Sequence, residues 1–329
     1  KAATDWYDYL VQIFSYAALY LITGNSPSTI HIVLPLQETI WSFDLSTWNK
    51  SKEYIDILQS FTPLNPEDVI FGRMLCCENN VGVTISKEKG SIINTLRGLT
   101  GYSQPFQFFL NGNLATDITL TDKEMDEAYA FLLSEPQLKV YVHLPYTITL
   151  SNSLEEKDGF TQRSLSQYMT CVSRMGMKGG VVHVGKANRY SVDVAVENMR
   201  DNIIASLDYT TVESPLLLES PSGSGKELLT TFESFMEFMD SIPDERLGIC
   251  VDTCHVFASG QNLTEYFAKM ISKDEWISRV KLIHFNDSKK AFGSCVDRHA
   301  PIGCGCIPKD DFLQVAFIAN IHNIPMVIE

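Results

Sequence analysis

From residue 81 onward, short runs of apolar residues alternate with longer segments in which apolar residues recur at helical spacing. The runs are continuous rather than alternating, which is typical of strands buried on both faces of a parallel sheet. Eight such strands are predicted: VGVTIS (81–86), FQFFL (106–110), KVYVHL (139–144), GGVVHV (179–184), PLLLES (215–220), LGICVD (247–252), VKLIHF (280–285) and IPMVIE (324–329). Amphipathic segments at 164–177, 192–207 and 226–242 are predicted as helices between them.

Strands that alternate with helices eight times indicate an α/β protein, and the pattern predicts a (β/α)8 TIM barrel over residues 76–329. An open, doubly wound sheet is the alternative, since periodicity does not show closure. Residues 1–75 lie outside this count. There STIHIVLPL (28–36) predicts a strand and residues 49–61 predict a helix, so we interpret 1–75 as a small N-terminal α/β extension of unknown role.

Charge and cysteine content narrow the function. Lysine and arginine number 26 against 40 acidic residues, a net charge of −14, so a nucleic-acid ligand would need a local basic patch or bound cations. The eight cysteines lack paired CxxC spacing and are interpreted as reduced thiols of an intracellular protein. The one membrane-like run, 6–24, contains Asp8 and lacks a basic flank, so we expect a packed helix and no membrane partner.

Acids and histidines stand at or near the carboxyl ends of six predicted strands. They are His143, His183, Glu219, Asp252, His284 and Glu329. In a barrel these ends meet on one face, where catalytic groups come from several strands. Six such groups would be desolvated and mutually repelling unless cations compensate, and this mixture of oxygen and nitrogen ligands suits Zn²⁺, Mn²⁺ or Fe²⁺.

Two further pairs extend the set. His255 follows Asp252 by three residues, and Asp297 and His299 are two apart in VDRHA (296–300), so both point to one side of an extended segment. A single histidine after a strand is usually a structural residue, but five of the seven histidines fall in these positions. Nine ligand candidates exceed the four of one tetrahedral site and indicate two or three ions.

At these residues the chain resembles the endonuclease IV family of apurinic/apyrimidinic (AP) endonucleases. The resemblance covers residues 81–329 and depends on three segments: VDTCHVFASG (251–260), HFNDSKKAFGSCVDRHA (284–300) followed by IGCGCI (302–307), and LLLESPSGSG (216–225). It implies a TIM barrel that acts as a monomer on double-stranded DNA containing abasic sites. The family cleaves the phosphodiester 5′ to the abasic site, leaving a 3′-hydroxyl and a 5′-deoxyribose phosphate, and many members trim blocked 3′ ends.

The resemblance also implies three Zn²⁺ ions, with Mn²⁺ an alternative at one site. His143, His183 and Glu219 would hold the first ion. Glu219 would bridge to the second, completed by Asp252, His284 and Glu329, which makes Glu219 the residue assigned to catalysis. The third would be held by His255, Asp297 and His299. Three divalent ions against four carboxylates leave an excess of about two positive charges, which would offset the acidic surroundings locally.

Candidates for DNA contact are fewer and less specific. Lys289, Lys290 and Arg298 cluster in the 284–299 segment, and Tyr146 matches the family tyrosine that inserts at the lesion. The loop LNGNLAT (110–116) lacks the arginine or glutamine with which the family commonly probes the minor groove, and Asn111 and Asn113 are the substitutes considered.

Two positions near the expected site depart from the family. Thr84 stands where a histidine is usual, and Cys304 replaces an acid that is often found between the two glycines. Two other functions remain open. A xylose-isomerase-like sugar isomerase or epimerase would use the same barrel with one or two ions. A non-catalytic binder of abasic DNA would use the same barrel to recognise the lesion without cleaving the strand.

Overall fold

Eight parallel strands close into a barrel in the computed structural model, which describes residues 29–34, 39–44, 80–87, 91–111, 114, 118–155 and 159–329. The barrel strands, in chain order, are β3 (Val81–Thr84), β4 (Pro105–Phe108), β5 (Lys139–His143), β6 (Gly180–His183), β7 (Leu216–Glu219), β8 (Leu247–Asp252), β9 (Val280–His284) and β12 (Met326–Ile328). Closure is made by β12, where Met326 is in register with Val81 on one side and Ile283 on the other. The predicted barrel is therefore confirmed, and the open-sheet alternative is wrong.

Helices follow the strands along the chain. They are α1 (Ile92–Arg97), α2 (Asp122–Ser134), α3 (Phe160–Arg174), α4 (Val192–Ser206), α5 (Phe232–Asp240), α6 (Thr253–Ala258), α7 (Leu263–Met270), α8 (Asp274–Ile277) and α9 (Lys309–Ile321), with a 3₁₀ turn at Leu207–Tyr209. The helix predicted for 226–242 begins later, because Thr231 caps α5. Its hydroxyl accepts a hydrogen bond from the Ser234 backbone N–H at 3.2 Å, which fixes the start of the helix.

The N-terminal part is described only as an antiparallel hairpin of β1 (Thr29–Leu34) and β2 (Thr39–Asp44). The strand predicted at 28–36 coincides with β1. The helix predicted at 49–61 and the apolar run at 6–24 lie outside the described residues. By their contacts the residues divide into two compact units, Lys1–Glu78 and Asn79–Glu329. The separate role of residues 1–75 stays a prediction.

The helices and cysteines of the described residues bear on the expectations of no membrane partner and of reduced thiols. Among the residues that the structure describes, no helix is both long and apolar enough to cross a membrane. Of the six cysteines in that part of the chain, Cys171, Cys250 and Cys254 are buried and Cys295, Cys304 and Cys306 are exposed.

A buried layer of side chains fills the barrel directly beneath the predicted ligands. Its members are Tyr141, Val181, Leu217, Cys250, Leu282 and Val327, none more than 3% exposed. Each stands two residues before one of the six strand-end acids and histidines. Because side chains along a strand alternate with a period of two, both sets point into the barrel, one layer above the other. The polar residues at the carboxyl ends of the strands thus lie directly above a layer of buried hydrophobic side chains.

Candidate metal centre

The register of the barrel sets neighbouring candidate ligands side by side. His183 on β6 is in register with Glu219 on β7, and Asp252 on β8 is in register with His284 on β9. Partners in register on adjacent parallel strands point to the same face. Hydrogen bonding between the strands therefore determines which side chains lie next to one another.

Glu219 lies at the middle of the polar layer with its side chain 1% exposed. Its Oε2 is 3.4 Å from His143 Nε2 and 3.5 Å from His183 Nδ1. Its Oε1 is 2.9 Å from His284 Nδ1 and 3.5 Å from His255 Nδ1. Each carboxylate oxygen thus faces two imidazoles, an arrangement that suits a carboxylate shared between two cations.

Asp252 and Glu329 face the same nitrogen of His284 as Glu219 does. His284 Nδ1 is 3.3 Å from Glu329 Oε2 and 3.8 Å from Asp252 Oδ2. One imidazole nitrogen therefore faces three carboxylates, contributed by β7, β8 and the residue that follows β12. Within this set, one potential ligand atom from each of the four residues lies within 4.8 Å of the others.

A short antiparallel ribbon returns the chain to the centre beyond β9. It pairs β10 (Asp287–Ser288) with β11 (His299–Ala300). Asp297 precedes β11, and its two oxygens lie 3.1 Å from His299 Nε2 and 3.3 Å from His255 Nε2. His299 Nε2 is also 3.7 Å from Asp252 Oδ2. The structure thus brings all nine predicted ligands into one cluster.

Grouping of the atoms within the cluster follows two of the three predicted sets. The sets of Glu219, Asp252, His284 and Glu329 and of His255, Asp297 and His299 each fall within 4.8 Å. The three ligands predicted for the first ion, His143, His183 and Glu219, do not form a group within that distance. Instead, His143 groups with Glu219 and His284, and His183 with Glu219 and His255. A further group joins Cys254 to Asp252 and His299.

Several buried ligand atoms have no hydrogen-bond partner. They are Nε2 of His183, His255 and His299, and Oε2 of Glu219. Three of these atoms face an ionic partner at 3.1–3.5 Å without forming a hydrogen bond. His183 Nε2 alone among the four bears the full cost of a buried polar atom without a partner, about 1–3 kcal/mol. Divalent cations satisfy imidazole nitrogens and carboxylate oxygens directly, so these residues fit a metal centre.

Two of the histidines have one nitrogen occupied by a backbone oxygen and the other directed at the acids. His143 donates from Nδ1 to the Leu144 carbonyl oxygen at 2.8 Å, and His255 donates from Nδ1 to the Ser220 carbonyl oxygen at 2.9 Å. Such bonds fix the ring orientation and leave the second nitrogen free as a ligand. Neither carbonyl partner was found from the sequence, because a backbone oxygen carries no residue-specific signal.

The acids and imidazoles shift one another's protonation. Burial would raise the pKa of the Glu219 carboxyl, but the imidazoles of His183 and His284 outweigh it and hold the pKa well below its usual value. Burial lowers the pKa of His183 to about 4. For His255, burial opposes the acids, yet Asp252 and Asp297 raise its pKa well above 6.5. Without cations, protonated His255 therefore balances part of the negative charge of the acids, and bound cations would displace its proton.

Asn286 connects two of the acids and was missed by the sequence analysis. Its amide donates to Asp252 Oδ2 at 2.8 Å and to Glu329 Oε2 at 3.2 Å, and its carbonyl oxygen accepts from the Glu329 backbone N–H at 2.9 Å. The residue stands two positions after His284 in a run of predicted ligands, so its position was a usable signal. It thereby holds in place two acids that both face His284 Nδ1.

Tyr146 lies at the rim of the cluster with 49% of its surface exposed. Its ring centroid is 5.1 Å from that of His183, 5.4 Å from that of His143 and 5.6 Å from that of Phe109. Burial raises the pKa of the Tyr146 phenol, and the acids of the centre raise it further, so the hydroxyl stays protonated. A neutral aromatic ring thus projects from beside the metal-ligand candidates toward solvent.

The predicted basic contacts are exposed near the same centre. Lys289, Lys290 and Arg298 are all exposed, and the Lys289 backbone N–H donates to the Arg298 carbonyl oxygen at 2.8 Å beside the β10–β11 ribbon. Asn111 is partly exposed after β4. Asn113 lies outside the described residues.

A buried acid shapes the glycine-containing loop after the ribbon. Asp287 is fully buried and accepts hydrogen bonds from the backbone N–H groups of Ser288, Gly303, Gly305 and Ile307 at 2.7–3.1 Å. A Cβ on Gly305 would lie 2.3 Å from Asp287 Oδ1, so only glycine fits there. This close approach explains the second glycine of GCG, and Cys304 between the glycines is exposed.

Comparison with known proteins agrees with this architecture. Residues 105–329 match the family described as "Xylose isomerase-like TIM barrel". A protein named "Probable endonuclease 4" from Aquifex aeolicus is 31% identical over 251 residues, which cover 73% of this chain and 88% of that protein. The chain belongs to the endonuclease IV family. Another "Probable endonuclease 4", from Mesomycoplasma hyopneumoniae strain 7448, is 32% identical over 209 residues, or 63% of this chain and 75% of the relative.

Among solved structures, endonuclease IV from Thermus thermophilus superposes with a TM-score of 0.62 at 22% identity, covering 76% of this chain and 91% of that one. At this identity the likeness concerns the fold. For this endonuclease IV family member, the structural match supports the barrel fold. The chemistry of the site depends on the ligand geometry described above.

Proposed function

We propose that this endonuclease IV family member is a metal-dependent AP endonuclease of base excision repair. It would hydrolyse the phosphodiester 5′ to an abasic site in double-stranded DNA, leaving a 3′-hydroxyl and a 5′-deoxyribose phosphate, and would also trim blocked 3′ ends. The observation that carries the proposal is the cluster of nine acids and histidines at the carboxyl end of the barrel, in which the buried His183 Nε2 has no hydrogen-bond partner.

Three zinc ions fit the donor atoms, with Mn²⁺ as an alternative at one position. His143, His183 and Glu219 would hold the first ion, even though His143 and His183 reach the same oxygen of Glu219 at 3.4 and 3.5 Å without forming a compact group. Glu219 would share the second ion with two acids and an imidazole: Asp252, Glu329 and His284. The third would lie between His255, Asp297 and His299. When bound, such ions supply Lewis acidity and positive charge at a phosphate.

The residues of the chain contribute position and charge. Glu219 presents one oxygen to each side of the cluster, so it fixes the spacing of two ligand groups with a single carboxylate. The apolar layer beneath the ligands excludes water from one side of the centre, which strengthens every electrostatic interaction there. A phosphate can therefore approach only from the open carboxyl face of the barrel.

Recognition of the lesion is assigned to groups on that open face. Tyr146, half exposed beside the histidines, would occupy the gap left by the missing base, since an aromatic ring stacks on neighbouring bases without sequence preference. Exposed Lys289, Lys290 and Arg298 would contact backbone phosphates, with Asn111 and Asn113 as further contacts in the loop after β4. These charges and the cations would offset the net charge of −14 at the binding face.

A sugar isomerase or epimerase is the competing function, because the same barrel serves it. The group of His255, Asp297 and His299 argues against it. These three residues provide a third ligand set beside those centred on Glu219, and an isomerase needs only one or two ions. A binder that does not cut is the other competitor, and cleavage assays separate it.

The deciding experiment uses a DNA duplex with a single abasic-site analogue and zinc-loaded protein. We expect one cut 5′ to the analogue, loss of cutting after treatment with a chelator, and recovery when zinc is restored. The same preparation is analysed for bound metal, with about three zinc ions expected per chain. Tight binding without cutting in the zinc-loaded protein would support the binder, and one ion per chain with no cutting would support the isomerase.

A further inference from the structure

Gln107 is a fully buried amide in a layer of the barrel that is otherwise apolar. On β4 it is in register with Tyr141 on β5, so it belongs to the layer directly beneath the candidate ligands and points into the barrel. Tyr141, Leu217 and the other members of that layer are buried hydrophobic residues, although the Tyr141 hydroxyl donates to the Lys281 carbonyl oxygen at 3.2 Å. A buried amide in such a place destabilises the fold unless all of its donors and acceptors are paired.

Every polar atom of the Gln107 side chain is paired, and two of its three partners are candidate ligands. Nε2 donates to Glu329 Oε1 at 2.8 Å and to Thr84 Oγ1 at 3.1 Å. Oε1 accepts from His284 Nε2 at 2.9 Å. The carboxylate of Glu329 can only accept, so it must face the NH₂ group, and this fixes the amide orientation and directs Oε1 toward His284.

These bonds determine which atoms of His284 and Glu329 face the proposed cation, together with Asn286, which donates to Glu329 Oε2 at 3.2 Å. With its Nε2–H donated to Gln107, His284 presents Nδ1 to Glu219, Glu329 and Asp252. With Oε1 of Glu329 held by Gln107, Oε2 is the oxygen that faces His284 Nδ1 at 3.3 Å. Gln107 therefore selects the tautomer of the histidine and, together with Asn286, the outward oxygen of the acid.

We propose that Gln107 is a positioning residue for the second cation, and that it orients His284 and Glu329 through its buried amide without touching metal or DNA. The inference rests on the proposed metal-dependent function. It also gives Thr84 a role, because its hydroxyl accepts the second N–H of Gln107. Thr84, which stands where the family usually has a histidine, is thus part of this network, in which Gln107 provides the contact to the centre.

The test is zinc affinity, measured by titrating metal-free protein with Zn²⁺ in competition with a chromophoric chelator. Mutation of a residue that hydrogen-bonds to a metal ligand typically changes metal affinity or activity by about 10–100-fold. For Gln107→Met, which keeps the volume and removes every hydrogen bond, we expect one of the three ions to bind about 10–100-fold more weakly. The kcat on abasic DNA should fall similarly, with little change in KM, since Gln107 is fully buried.

Matched variants separate positioning from simple support of the fold. Gln261 is a partly buried amide that pairs with Phe232, Thr230 and Ser259, none of them a candidate ligand. Gln261→Met should lower the melting temperature and leave zinc affinity unchanged. Thr84→Val removes one of the three bonds of Gln107 and should retain zinc affinity within about threefold, since Glu329 and His284 stay paired.

Gln107→Glu gives a second result where methionine prevents folding. It keeps an acceptor toward His284 but sets a carboxylate against Glu329, so weaker zinc binding is again expected. Unchanged or tighter zinc binding in both Gln107 variants would overturn the inference. If the unaltered protein binds no zinc or does not cut abasic DNA, the proposed function fails instead, so the two failures are distinguishable.

Discussion

Asp252 caps the helix that carries His255: its Oδ1 accepts a 2.8 Å hydrogen bond from the His255 backbone N–H. The same carboxylate presents Oδ2 to Asn286 at 2.8 Å and to His299 at 3.7 Å. One acid therefore ends a strand, starts helix α6 and offers an oxygen to the centre. Burial raises the pKa of Asp252 despite the nearby imidazoles, and a bound cation would favour its ionised form.

The substitution Asp252→Asn separates these roles. Asparagine caps helices about as well as aspartate, so the melting temperature of the metal-free protein should stay within a few degrees of the parent. Loss of the negative charge should lower cleavage of abasic DNA by more than about 100-fold and reduce bound zinc. Cleavage assays and metal analysis measure both effects.

Its control is Asn262→Ala, which removes the cap of α7. Asn262 Oδ1 accepts from the Glu265 backbone N–H at 3.0 Å, outside the metal-ligand cluster. The loss should cost about 1 kcal/mol of folding stability and leave cleavage unchanged. Near-normal cleavage by Asp252→Asn would remove this acid from the ligand set.

Replacing Glu219 by glutamine keeps its volume and removes its charge. Because both oxygens of Glu219 face imidazoles, the change should impair two ion sites and abolish detectable strand cleavage. Zinc content should fall by more than one ion per chain. The matched variant Glu233→Gln breaks an exposed ion pair with Lys269 and should cut at the parent rate. A loss of only one ion would show that Glu219 does not bridge.

Tyr146→Ala tests recognition apart from metal binding. Loss of a stacking ring typically costs about 1–3 kcal/mol per base, so affinity for an uncleavable abasic duplex should weaken by roughly 5–150-fold. Zinc content should be unchanged, because the ring lies beside the ligands without donating to them. Tyr146→Phe keeps the ring and should bind nearly as well as the parent. Loss of zinc in Tyr146→Ala would instead make the tyrosine a structural part of the centre.

Acid stability outside the centre depends in part on Asp244. The Arg246 guanidinium donates to this carboxylate and holds its pKa below the usual value, which outweighs the effect of burial. A lowered folded-state pKa stabilises the protein above the unfolded pKa, and the stabilisation is lost as pH falls through the folded pKa. Asp244→Asn should therefore cost up to about 1 kcal/mol at pH 7, since the pair is partly exposed.

Urea unfolding at several pH values measures this contribution. The difference between parent and Asp244→Asn should be constant near neutral pH and shrink below about pH 4, where the unfolded chain begins to take up protons. A difference that does not vary with pH would assign the effect to lost hydrogen bonds alone.

The sequence was sufficient for the barrel and for the proximity of the candidate ligands. Continuous apolar strands each ending in an acid or histidine predict that those side chains meet, because parallel strands share one end. His143 and Glu329 lie 186 positions apart by number, yet both are assigned to one face by this reasoning. Closure itself needed the structure, since it depends on the register of Met326 with Val81 and Ile283.

Other features depend on tertiary geometry that periodicity does not encode. Gln107 reads as one polar residue within an apolar strand, and its partners lie 23, 177 and 222 positions away. The predicted start of α5 is earlier than the observed start at Phe232, because the apolar residues at 228–229 continue the helical pattern through a loop. Grouping of His143 with His284 also follows from side-chain geometry rather than from the order of ligands along the chain.

Closure of the cylinder has a consequence for assembly. The strand β12 joins β9 to β3, and Glu329 immediately follows it. Without that strand in place, His284 lacks Glu329, one of its three acidic neighbours, and the second cation site is incomplete. The complete ligand set of that site therefore depends on the pairing that closes the barrel, which couples the proposed metal site to closure.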